Sequence, residues 1–114
     1  MISIYKTGGA NDYDHKQIIL QHYLYLVEHL NTNSSGLVDE LSQAKVISKQ
    51  DRDRITSEMS VFMQNAKLLS VLSHKTKDKF DKFLNALDKT GQQHLHNHIL
   101  GRKGKLFNDN VLFI

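Results

Sequence analysis

Seven histidines and no cysteine set the metal and nucleophile chemistry open to this chain of 114 residues. His94 and His98 stand four apart, a spacing that puts two imidazoles on one helix face and could clasp zinc or nickel. His15, His22 and His29 recur every seven residues and would form a stripe on another helix. A metal site needs a third ligand and groups that orient the first two, and the nearby sequence supplies neither acid nor thiolate for these roles. The lack of cysteine also removes a thiol nucleophile and a disulfide scaffold. No Ser-His-Asp arrangement, phosphate-binding glycine loop or spaced carboxylate pair is evident. The sequence therefore predicts no enzyme, no resident metal and no cofactor.

Charge is the remaining chemistry. The net charge is +3, but residues 1–60 hold eight acids against six bases, while residues 61–114 hold nine bases against four acids. Poles of opposite sign suggest head-to-tail contact with copies or relatives of the same chain. A second reading takes the basic C-terminal half as a surface for nucleic acid or acidic partners. It rests on the isoelectric point of about 9.2 and on Gly101-Arg102-Lys103-Gly104-Lys105. Three bases without a recognised nucleic-acid motif are a weak footprint, so nucleic acid is not the favoured partner.

Helices must position these groups. The chain has one domain's length, no proline, no apolar run that could span a bilayer and no signal-peptide core, which suits a cytosolic, all-helical protein. Residues 1–13, with Gly8-Gly9 and Asn11-Asp12, read as an N-terminal arm. Asp14 is the expected cap of a long first helix that turns Ile19, Tyr23, Leu26, Val27 and Leu30 inward. A second helix starts near Ser34 or Ser35 and buries Leu37, Val38 and Leu41. Ser48 with Asp51 is a capping signature for a third, very polar helix whose inward residue is Ile55. The fourth shows Phe62, Ala66, Leu69 and Leu72 on one face. Thr76 or Ser73 caps the fifth, which buries Phe80, Phe83, Leu84 and Leu87 and ends at Lys89-Thr90-Gly91. The sixth has Leu95 and Ile99 inward, its histidines on the wet side, and stops at Gly101. Residues 102–114 form an apolar tail or lead into a further domain.

Across roughly Asp14 to Gly101 this pattern resembles the caspase recruitment domain, a branch of the death-domain superfamily. The resemblance is carried by Leu26-Val27-Glu28-His29-Leu30, by Val46-Ile47-Ser48, and most of all by the second half. There Lys67-Leu68-Leu69 precedes Phe80-Asp81-Lys82-Phe83-Leu84-Asn85-Ala86-Leu87 and then Thr90-Gly91-Gln92-Gln93-His94-Leu95. It implies a six-helix antiparallel bundle of the death-fold type. By the same resemblance the domain binds others of its kind, in caspases, adaptors or nucleotide-binding platforms, within apoptotic or inflammatory signalling. In the family a common contact joins an acidic face to a basic one. The corresponding acids are Asp39, Glu40, Asp51 and Asp53, and the bases Lys16, His22 and Lys67. The chain departs from the family at Gln21-His22-Tyr23, where an arginine is frequent. Histidine is only partly charged near neutrality, so this substitution weakens the basic pole.

Overall fold

The computed structural model describes residues 14–101, so the readings of residues 1–13 and 102–114 lie outside the described residues. Those 88 residues hold seven helices and no strand: α1 (His15–Gln21), α2 (Tyr23–His29), α3 (Leu37–Gln43), α4 (Lys49–Thr56), α5 (Val61–Ser73), α6 (Lys77–Lys89) and α7 (Gln93–Leu100). None is long and apolar enough to cross a membrane. The fold is an all-α bundle in which α5 packs on α1, α2 and α4, while α6 packs on α3 and α7.

The caps follow from local chemistry. Asp14 is extended, and its carboxylate accepts from the amides of Lys16 and Gln17 at 3.0 and 3.3 Å. Ser48 and Asp51 form the expected capping box, with bonds of 3.0 and 3.1 Å. Thr76, rather than Ser73, caps α6, and Ser60 caps α5. The second helix of the sequence reading starts later than Ser35. Gly36, at φ +89°, precedes Leu37, while Ser34 and Ser35 bond back to Asn31. Gly91, at φ +79°, makes the turn from α6 to α7.

The long first helix divides into α1 and α2 at His22, whose φ of −108° and ψ of 15° leave the helical range. The amide of His22 still reaches the carbonyl of Ile18, and that of Leu26 the carbonyl of His22, so the chain bends without losing its direction. The break changes the inward stripe: Ile19, Leu26, Val27 and Leu30 are buried, but Tyr23 is exposed.

A second correction falls on α5, where the buried residues are Asn65, Leu68, Leu69 and Leu72. Phe62 is 52% exposed and Ala66 only partly buried. The inward face is turned because α5 carries a polar clamp. Asn65 Nδ2 donates to the carbonyls of Val27 and Leu30 at 2.8 and 2.9 Å, which satisfies the C-terminal end of α2. The hydroxyl of buried Thr32 donates to Asn65 Oδ1 at 2.5 Å. Polar satisfaction thus outranks the apolar period here.

The remaining core agrees with the sequence reading: Leu37, Val38, Leu41, Ile55, Phe80, Phe83, Leu84, Leu87, Leu95 and Ile99 are all buried. Ala86 of α6 and Ala44 at the end of α3 line one small hollow where these two helices meet. Gln92 ties the α6–α7 turn to Asn31 by bonds of 2.8 and 3.1 Å to its amide and carbonyl.

Candidate interaction surface

The α3–α4 pole carries the four acids singled out from the sequence, and each has a cation beside it. Asp39 meets Arg52 at 2.5 Å, Glu40 meets Lys89 at 3.3 Å, and Asp53 meets Lys49 at 3.3 Å. Asp39 and Asp53 are exposed, and Glu40 is half-buried. These three carboxylates face solvent beside their partners, and exposed pairs of this kind hold each other by about 0–1 kcal/mol. They can exchange partners at little cost.

Asp51 is different. Its side chain is 12% exposed, and it bonds Lys75 Nζ at 2.8 Å while closing the capping box of α4. Burial alone would raise its pKa. The hydrogen bond from Lys75, the amide and hydroxyl of Ser48 and the Lys75 charge outweigh that, and they hold the carboxyl below its ordinary 3.8. Asp51 joins α4 to the start of α6.

Lys16 and Lys67 line two adjoining hollows that share Ala66 and Ser70 of α5. Lys16 lines a groove of about 320 Å³ with Ile19, Leu20, Tyr23, Ala66 and Ser70. Lys67 borders the adjoining depression, which shares Ala66 and Ser70. Neither lysine forms an ion pair with a described carboxylate. Leu20, 68% exposed, stands on the wall of this apolar groove. The sequence reading overlooked it, although a leucine one step off the inward stripe was the available signal.

His22 does not join the two lysines. Its ring meets His98 of α7 edge-on at 5.1 Å, and His98 stacks on Tyr25 at 3.8 Å. Tyr25 in turn lies 4.3 Å from His29. The seven-residue histidine stripe is therefore dispersed, since His15 is buried against Phe80 and His29 lies on the surface. Nor are the α7 histidines all wet: His94 is exposed, but His96 is buried and its Nδ1 lies 2.9 Å from Asp88 of α6. Among the described residues no three histidines or acids are grouped to hold a metal ion.

Lys16 lines an apolar groove, Lys67 lines the hollow beside it with Glu58, and the exchangeable carboxylates lie on α3 and α4. A comparison with solved structures gave no significant match. The family model described as the caspase recruitment domain matches residues 16–102, which takes in all seven helices but for His15, the first residue of α1. The chain belongs to the caspase recruitment domain family.

Proposed function

We propose that this domain assembles head to tail with other caspase recruitment domains, or with itself, and so nucleates signalling complexes of apoptosis or inflammation in the cytoplasm. It acts by binding and not by catalysis. The observation that supports the reading is that Lys16 and Lys67, neither in an ion pair with a described carboxylate, line adjoining hollows, while Asp39, Glu40 and Asp53 sit on α3 and α4. A basic face on one copy and an acidic face on the next attract at any length of chain, because each added copy presents both. Asp51 contributes through the position of α4, since its carboxylate is engaged inside the fold. His22 would modulate the contact from beside α7 rather than lie at its centre.

Charge reversal tests this. Lys67→Glu and Asp53→Lys should each abolish concentration-dependent light scattering while the far-ultraviolet circular dichroism stays helical. Assembly that persists in both variants removes the charged contact.

A further inference from the structure

On the far side of the α3–α4 turn a cleft of about 710 Å³ opens toward the start of α6. Five of its lining side chains are cations: Lys45, Lys49, Arg52, Lys75 and Lys79. No carboxylate among the described residues lines it. The acids that answer three of these cations, Asp53, Asp39 and Asp51, sit outside its wall. Lys45 and Lys79 have no carboxylate partner among the described residues, and Lys79 Nζ donates to the main-chain oxygen of Lys45.

Like charges gathered in a concavity repel, and Lys45 and Lys79, which no described carboxylate answers, add to that repulsion unless something else is bound there. Three further features favour an anion. Ser48, the cap of α4, and Lys49, its first residue, both line the cleft, which puts the positive end of that helix at the wall. Ser42 lines the same cleft, and its buried hydroxyl has no hydrogen-bond partner among the described residues. Lys45 stands at φ +62°, a left-handed conformation that glycine or asparagine would adopt at less cost. The residue there is nonetheless a lysine, and it adds its charge to the cleft wall.

We propose that this cleft binds a small, multiply phosphorylated anion. Its volume falls within the range of about 300–1,000 Å³ typical of small-ligand sites. Separate ammonium groups spread around the wall call for several phosphates rather than one, and the guanidinium of Arg52 offers a fork to one of them. A phosphorylated ring such as an inositol polyphosphate has this chemistry, and so does a phosphoinositide headgroup in a membrane.

Titration calorimetry of the full chain with inositol hexakisphosphate, and flotation with phosphatidylcholine vesicles with and without phosphatidylinositol bisphosphate, read the two sources. Lys45→Gln/Lys79→Gln should weaken binding by roughly 10-fold or more, while Arg54→Gln/Lys82→Gln, which removes the same charge outside the cleft, should change it less than about twofold. Lys49→Gln, at a side chain 89% exposed, serves as a milder lesion should the double variant melt early. Saturable loss-sensitive binding of the soluble ligand identifies a soluble anion, and the same pattern on vesicles alone identifies a headgroup. Equal losses in the two double variants, or no saturable binding in either arm, overturn the site.

Discussion

Asp51 shows how much one carboxylate can do when it is desolvated and fully partnered. Its pKa is depressed, so the stability it contributes is present above the ordinary 3.8 and is lost as pH falls through the lower folded value. Asp51→Asn should cost about 1–3 kcal/mol near neutrality, by weakening a helix cap and stranding Lys75. The difference from wild type, measured by urea unfolding, should shrink as pH drops below 3.8. A gap that stays constant down to the acid transition would show that the Lys75 pair carries no linkage. Gly91 tests backbone alone. A Cβ added there meets nothing within 4 Å, yet φ is +79°. Gly91→Ala should therefore cost ~1–2 kcal/mol, all of it conformational, and a substitution without effect would mean the turn relaxes.

At the scale of elements, α5 and α6 make a contrast between periods that hold and one that does not. Phe83 and Leu87 are wholly buried on α6, so Phe83→Ala should cost about 3–5 kcal/mol and Leu87→Ala about 2–5 kcal/mol in thermal or chemical unfolding. Phe62→Ala on α5 should cost less than about 1 kcal/mol, because that ring is half in water. Equal losses at Phe62 and Phe83 would mean that the face of α5 is misassigned. Asn65 is the polar counterpart. Removing it strands two carbonyls of α2 and the hydroxyl of Thr32, so Asn65→Ala should destabilise by at least about 1–3 kcal/mol. Amide exchange should rise first in α2, and uniform exchange across the bundle would deny the clamp a local role.

For the whole molecule, head-to-tail geometry makes a prediction that a symmetric dimer does not. A Lys67→Gln protein keeps its acidic face, and an Asp53→Asn protein keeps its basic face. Mixed together, they should form a one-to-one complex and stop, since neither free end can be extended. Sedimentation of the mixture should show that species and nothing larger. Two non-interacting proteins, or growth past the dimer, would rule out a contact that pairs these two faces.

What the sequence determined by itself is what short stretches of chain decide. Asp14, Ser48 and Thr76 cap helices through bonds spanning two or three residues, and Gly91 and Gly101 end them through their own dihedrals. The α6 stripe and the motifs from Lys67 to Leu95 were equally legible, because a strong amphipathic period and its turns are local facts. Tertiary structure decided the rest. Asp51 read as a surface acid until Lys75, 24 residues away, was brought to it, and the face of α5 was fixed by carbonyls 35 and 38 residues upstream of Asn65. His22 read as a member of the basic pole until α7 laid His98 against it. The cationic cleft draws on residues 42 to 79, and no period in the sequence links them. Such sites arise only when distant groups are held together, and burial and charge then act on groups whose neighbours the local pattern does not name.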